Sequence, residues 1–157
     1  MAVEDRRIII AGAGIAGLTA ALAFAARGFS VEIYERAPHL EEVGAGLQLS
    51  PNATHILAGL GVLETLGPLA VRPEAVVLRD ARTLREVTRV PLGNGAERRW
   101  GAPYLVAHRA DVQAALLARV QGDGKIKLAT GTAVTNFSAQ ADGVAITIGR
   151  GDATNTI

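Results

Sequence analysis

Arg7–Ala11 sets three isoleucines in succession, Ile8, Ile9 and Ile10. An unbroken β-branched run of this kind predicts a strand covered on both faces. Gly12-Ala-Gly14-Ile-Ala-Gly17 follows at once, and beyond it Ile15, Leu18, Leu22 and Ala25 recur at helical spacing until Gly28 stops the helix. Residues 30–35 alternate Val31 and Ile33 with Glu32 and Tyr34, the period of a second strand. Strand, glycine-rich turn, helix and strand together make a βαβ unit.

Residues 37–49 carry Pro38 and the Gly44-Ala-Gly46 pair and are expected to form a loop. Ser50 and Pro51 predict a capped helix start with proline in its first turn. Ala53, Ile56, Leu57 and Leu60 give that helix one apolar face, and Gly61 ends it. Residues 74–80 and 84–90 are predicted strands joined by a short turn, Asn94-Gly95 a further turn, and residues 100–107 an extended segment. Val112, Leu116 and Val120 define another helix that ends near Gly122. Strands are expected at 126–129, 133–140 and 144–148, with Asp142-Gly143 as the hairpin turn between the last two. No internal repeat or low-complexity tract interrupts this order.

Composition narrows the classes. Hydrophobic residues are 49% and charged residues 20% of 157, which excludes a disordered, highly charged chain. A net charge of +1 gives no bulk attraction to nucleic acid or to an anionic membrane. Without cysteine there is no disulfide, thiolate metal site or thiol nucleophile, which suits a cytoplasmic setting. Asp5, Arg6 and Arg7 precede an apolar stretch that Gly12 and Gly14 soon break, so neither a signal peptide nor a membrane span is expected. Glycine is abundant at 18 residues and aromatics scarce at 4%, which predicts close backbone approaches and a core of Ala, Val, Leu and Ile.

The glycines acquire meaning from their context. They follow a strand and open a helix, the setting in which GxGxxG binds a dinucleotide. Gly12 permits the tight turn, Gly14 lets backbone approach a pyrophosphate, and Gly17 allows close helix–strand packing. The helix N-terminus offers unpaired N–H groups and its positive dipole end to phosphate. Glu35 comes 18 positions after Gly17, where a carboxylate accepts hydrogen bonds from an adenosine ribose. NAD and FAD share this fingerprint, and the spacing leaves the choice between them open.

Further motifs carry a resemblance. Val31-Glu-Ile-Tyr-Glu-Arg-Ala-Pro38, Gly44-Ala-Gly-Leu-Gln-Leu-Ser-Pro-Asn-Ala53, Pro91-Leu-Gly93 and Tyr104-Leu-Val-Ala-His-Arg-Ala-Asp-Val112 occur in that order. With them the chain resembles the N-terminal portion of the FAD-dependent aromatic-ring monooxygenases, on the branch of salicylate hydroxylase and 6-hydroxynicotinate monooxygenase. The resemblance implies an α/β, Rossmann-like FAD-binding βαβ domain with a parallel sheet and a small antiparallel β layer. It implies FAD as cofactor, NADH or NADPH as reductant, and O₂ and a small aromatic molecule as substrates. A homodimer is compatible with it. Glu35 would hold the FAD ribose, Arg36 would lie near the adenosine or pyrophosphate, and Arg109 would contact FAD. The 44–52 loop would pass the riboflavin end, with Gln48 where some relatives carry a histidine. Glutamine accepts no proton at neutral pH, so histidine-type activation of substrate is not expected there. The candidate cofactor-binding residues are therefore Gly12, Gly14, Ile15, Gly17, Glu35, Arg36, Gly46, Gln48 and Arg109.

No catalytic cluster stands out. His39, His55 and His108 lack metal-ligand spacing, and there is no GxSxG elbow. Trp100 and Tyr104 are expected in a core or at a sheet edge. The segment at 74–90 is expected to begin a substrate-side sheet, Gly151-Asp152 to be a turn, and the chain to be a shortened FAD domain lacking the C-terminal half, inactive alone. Another FAD- or NAD-binding oxidoreductase and a non-catalytic nucleotide-binding module are the competing readings.

Overall fold

The computed structural model describes residues 6–40, 44–150 and 153–157. The expected turn at Gly151-Asp152, Asp5, and residues 41–43 of the expected loop lie outside them. The chain divides into two compact units, one of residues 1–42 and 116–157, the other of residues 43–115.

The first unit is built on the predicted βαβ motif. Strand β1 (Arg7–Ala11) leads through the glycine turn into helix α1 (Ile15–Ala25), and the chain returns in β2 (Ser30–Tyr34). The strands are parallel, with Ile8 opposite Val31 and Ile10 opposite Ile33. Helix α1 buries Leu18, Ala21, Leu22 and Ala25 and packs on both strands. Fully burying a leucine is worth roughly 1.5–3 kcal/mol, so this single stripe fixes the helix to the sheet. Gly28, at φ 92°, makes the left-handed turn out of the helix.

One sheet expectation changes. The isoleucine run predicts a strand covered on both faces, yet β1 lies at the edge of a three-stranded sheet whose middle strand is β2, and Ile8, Ile9 and Ile10 are half-buried. The covered strand is β2, whose Val31 and Ile33 are buried between two neighbours. Its second partner is the strand Ile126–Ala129, β7, also parallel. Beyond it, β8 (Ala133–Gln140), β9 (Gly143–Arg150) and β10 (Ala153–Thr156) form the antiparallel layer. Gln140 pairs with Gly143, so the loop residues are Ala141 and Asp142 rather than the expected Asp142-Gly143.

In the second unit, part of the expected loop at 37–49 is a strand. Gly46–Leu49 (β3) pairs antiparallel with Leu105–His108 (β6). Helix α2 (Pro51–Gly59) follows with Ser50 at its N-cap, but the Ser50 hydroxyl donates to the Asn52 side-chain oxygen instead of capping a backbone N–H. Its buried positions are Thr54 and Leu57, and Ile56, expected on the apolar face, is exposed. After the short α3 (Leu63–Leu66), β4 (Ala75–Arg79) and β5 (Glu86–Pro91) form an exposed antiparallel hairpin. The expected turn at Asn94-Gly95 is the start of helix α4 (Asn94–Trp100). Left-handed glycines bracket α4, Gly93 at φ 56° and Gly101 at φ 72°, and Ala96 anchors it by burial. Of the expected extended stretch 100–107, Trp100 ends α4 and residues 105–107 lie in the strand β6. Helix α5 (Arg109–Gln121) begins in this unit and ends in the first, and it buries Val112, Ala115, Leu116 and Val120.

Every buried hydrophobic side chain among the described residues is Ala, Val, Leu or Ile, as the composition predicts. No described helix is long and apolar enough to cross a membrane.

Candidate functional site

In the first unit the glycine turn is shaped by three different constraints. Gly12 sits at φ 102°, a conformation that side-chain-bearing residues rarely adopt, and its N–H continues the sheet ladder to the Tyr34 carbonyl at 2.8 Å. A Cβ on Gly17 would lie 2.0 Å from the Gly12 carbonyl oxygen and 3.4 Å from Ile10 Cγ2, so helix and turn touch there backbone to backbone. Gly14 differs: a Cβ built on it meets no atom within 4 Å. It is the N-cap of α1, which has no side-chain cap and no acidic residue in its first turn. The Ile15 end of the helix thus directs its N–H groups and positive dipole end into space beside Gly14, a setting that fits a pyrophosphate.

Glu35 lies just beyond β2. Its Oε2 accepts the N–H of Ala13 and its Oε1 the N–H of Ala37, both at 2.8 Å. The Ala37 and Ala13 amides hold the carboxyl below the usual carboxylate range, and the adjacent Arg36 charge acts in the same direction. Each oxygen keeps a lone pair for a further donor, so the geometry is compatible with a ribose diol. Gly12, Glu35 and the exposed Arg36 line one cavity of about 240 Å³ with Ala11, Tyr34, Ala133 and Val134. The brace from Glu35 to the glycine turn was not foreseen from the sequence. Its only signal was the acidic residue at the strand end.

In the second unit, β3 and β6 bring together the other candidates. Gly46 stands opposite His108 and Gln48 opposite Val106. Arg109 follows directly, and a Cβ on Gly44 would come within 3.1 Å of Arg109 Cδ, so the loop lies on the arginine's aliphatic stem. A Cβ on Gly46 would make only ordinary contacts, so packing within the protein does not require glycine there. Gln48 is exposed, and its Oε1 accepts the Tyr104 hydroxyl at 2.8 Å, a pairing across 56 residues that the sequence did not signal.

Trp100 departs from expectation, whereas Tyr104 stands half-buried directly before β6. Trp100 is 48% exposed, with the Arg99 guanidinium 5.2 Å from its ring centroid, and is not part of the core. Both residues line an open cavity of about 810 Å³ whose wall also includes Ser50, Pro51, Asn52 and His55 from the start of α2, with Val76, Val90 and Leu92. His39, His55 and His108 are exposed, and no group of three His, Asp or Glu able to hold a metal occurs among the described residues.

A parallel β-α-β unit, an uncapped helix end behind Gly14 and an acidic residue after the second strand define a Rossmann-like dinucleotide-binding fold. The family described as an NAD(P)-binding Rossmann-like domain matches residues 10–41. By sequence the chain is similar to the N-terminal portion of FAD-dependent aromatic-ring monooxygenases. It is 44% identical over 128 residues to 3-hydroxybenzoate 6-hydroxylase of Polaromonas naphthalenivorans, covering 82% of this chain and 32% of that protein. It is 38% identical over 112 residues to 6-hydroxynicotinate 3-monooxygenase of Bordetella bronchiseptica, covering 71% of this chain and 29% of that protein. Among solved structures, a tetrameric form of 2-methyl-3-hydroxypyridine-5-carboxylic acid oxygenase superposes with a TM-score of 0.78 at 26% identity, over 97% of this chain and 37% of that one. Klebsiella pneumoniae HpxO complexed with FAD and uric acid gives 0.75 at 26% identity, over 96% and 36%. The chain spans about a third of the length of these relatives.

Proposed function

We propose that this chain is the cofactor-binding portion of a flavoprotein that hydroxylates a small aromatic substrate with O₂ and NADH or NADPH. The observation that carries the proposal is the pairing of an α1 N-terminus that has no side-chain cap and no acidic residue in its own first turn with the Glu35 carboxylate beside the glycine turn. Under it, the N–H groups about Gly14 and Ile15 receive the FAD pyrophosphate, with Gly12 and Gly17 holding the turn that presents them. Glu35 receives the adenosine ribose, and Arg36 supplies a planar fork for phosphate oxygens or the adenine side. Gly46, Gln48 and Arg109 face the flavin half. Bound FAD supplies the redox chemistry, and the protein's part is to orient the ring, exclude water and stabilise charge.

The hairpin β4–β5 belongs to a substrate-side sheet in this proposal, and the whole protein is oligomeric, as the tetrameric neighbour supports. The 157 residues by themselves bind FAD weakly or not at all and do not hydroxylate. The test is a titration of the purified chain with FAD, followed by the flavin absorption bands and by quenching of flavin fluorescence. Weak binding that Gly14→Val abolishes is the expected result. Binding indifferent to that substitution refutes the assignment of the turn. NADH oxidation by this chain with an aromatic compound refutes its inactivity.

A further inference from the structure

Glu35 is held by a turn that lies far along the chain, between β7 and β8. The ladder between β2 and β7 continues one step past Tyr34, where the Glu35 N–H donates to the Ala129 carbonyl at 2.9 Å. The chain then turns at Gly131 and comes back onto the same segment. The Gly131 N–H donates to the Ala37 carbonyl at 3.0 Å, and the Thr132 N–H to the Glu35 carbonyl at 2.8 Å. The carbonyls on either side of Arg36 are thus both taken by one short turn. Buried Thr132 also donates its hydroxyl to the Thr130 carbonyl at 3.3 Å, which closes the turn across Gly131.

Ala37 passes this hold on to the carboxylate. Its carbonyl accepts from Gly131, and its N–H donates to Glu35 Oε1 at 2.8 Å. Whatever fixes Ala37 therefore fixes one of two amides on that carboxylate, the other being Ala13 of the glycine turn. Amides on both oxygens set the plane of a carboxylate, and the plane decides whether its remaining lone pairs meet two neighbouring hydroxyls. Gly131 stands at φ 65°, yet a Cβ on it would make only an ordinary contact, 3.9 Å from Pro38 Cα. Backbone conformation, not space, favours glycine there.

We propose that Gly131 and Thr132 are positioning residues of the ribose site. Gly131 acts through Ala37 and Thr132 through the Glu35 main chain, and together they set the plane in which the Glu35 carboxylate meets a ribose diol. That the ligand is a ribose rests on the function proposed above; the hold on the carboxylate does not.

The test follows the Glu35 carboxyl by carbon NMR in the 157-residue chain, without cofactor, as pH falls. The Ala37 and Ala13 amides and the Arg36 charge hold this carboxyl low, so loosening Ala37 moves its midpoint up. Gly131→Val forces a β-branched residue into the left-handed region and is expected to raise the midpoint by about one pH unit. Gly131→Asn, similar in size but at ease with that backbone, is expected to stay near the parent value. Thr132→Val keeps the shape and the N–H but loses the closing hydroxyl, and is expected to raise the midpoint by less. A role in stability alone lowers the melting temperature and leaves the midpoint of the folded chain where it was. An unmoved midpoint in folded Gly131→Val, or an equal rise in Gly131→Asn, overturns the proposal. If Gly131→Val does not fold, Thr132→Val decides, and a midpoint that fails to rise overturns the proposal.

FAD titrations of Gly131→Val and Glu35→Gln separate the positioning from the ribose assignment. Both variants are expected to weaken FAD at least about tenfold, the loss of one charge-assisted hydrogen bond. Midpoints that rise while FAD affinity ignores Glu35→Gln count against the ribose assignment alone. FAD affinity that falls in Glu35→Gln while the Gly131→Val midpoint stays put counts against the positioning alone.

Discussion

The carboxylate of Glu35 accepts the N–H of Ala13 at 2.8 Å and so ties the end of β2 to the glycine turn 22 residues earlier. The residue expected to face a ribose also shapes the loop that would face the pyrophosphate. Glu35→Ala strips two amides of a charged acceptor, a loss of about 1.5–3 kcal/mol per hydrogen bond at the upper end. Urea unfolding should show a fall in stability of at least about 1.5 kcal/mol by that scale, together with loss of any FAD binding. Unchanged stability would mean that the brace does not operate in solution.

The same contact sets a pH dependence. Glu35 is held below its ordinary value by the Ala37 and Ala13 amides, so its folded value lies below its unfolded one. Its contribution is complete above the unfolded carboxylate range, about 4.3, and is lost as pH falls through the depressed folded value. Glu35→Gln should therefore flatten the acid limb of the stability curve and leave the slope near neutrality unchanged. Denaturation midpoints measured from pH 7 to pH 3 check this.

Gly17 and Gly14 should respond oppositely to the same added methyl group. Gly17→Ala drives its Cβ against the Gly12 carbonyl, a backbone atom that cannot yield cheaply. A loss of about 3 kcal/mol, or failure to fold, is expected. Gly14→Ala meets no protein atom and should fold within about 0.5 kcal/mol of the parent. Its cost should appear in FAD affinity instead, at least tenfold. Thermal melts and FAD titrations on both variants separate the two roles.

Thr54 is fully buried, and its hydroxyl donates to the Pro103 carbonyl at 2.6 Å, fastening α2 to the segment that enters β6. Thr54→Val keeps the shape and leaves that carbonyl unpaired. A loss of about 1–2 kcal/mol is expected in chemical denaturation. Thr54→Ser, which retains the donor, should lose less by the same measurement.

Leu84 is the one non-glycine residue with positive φ among those described, at 57°, and it is 69% exposed in the β4–β5 turn. Its side chain adds strain and little burial there, so Leu84→Gly should raise stability by up to about 1 kcal/mol. A lower melting temperature would show that Leu84 is covered in solution.

Legibility in the sequence followed the range of the interactions. The βαβ unit could be read because its signals are local: three isoleucines, a glycine turn and a helical stripe. Helix α4 could not, because Asn94-Gly95 carries turn chemistry. What the local signal does not report is the burial of Ala96, which anchors the helix to the rest of its unit. Strand β3 is four residues long and exists through pairing with β6, about sixty positions on. The site divides in the same way. Gly12, Gly14, Gly17 and Glu35 announce themselves by spacing. Tyr104 on Gln48 and the exposure of Trp100 depend on chain segments that meet only in three dimensions.

The place of β7 beside β2 has a consequence for how the chain reaches its fold. About ninety residues separate Tyr34 from Ile126, and the whole second unit lies within that interval. The β1–α1–β2 unit can assemble once residues 7–34 are free to fold, yet Val31 and Ile33 keep one open flank until residues 126–129 are free as well. Closing so long a loop adds little to the equilibrium cost, because that entropy grows only with the logarithm of length. Its weight falls on the rate: a sheet completed by a distant parallel partner is slow to form and open to wrong pairings meanwhile. A nascent chain released before Ile126 would therefore carry a sheet that still seeks its third strand.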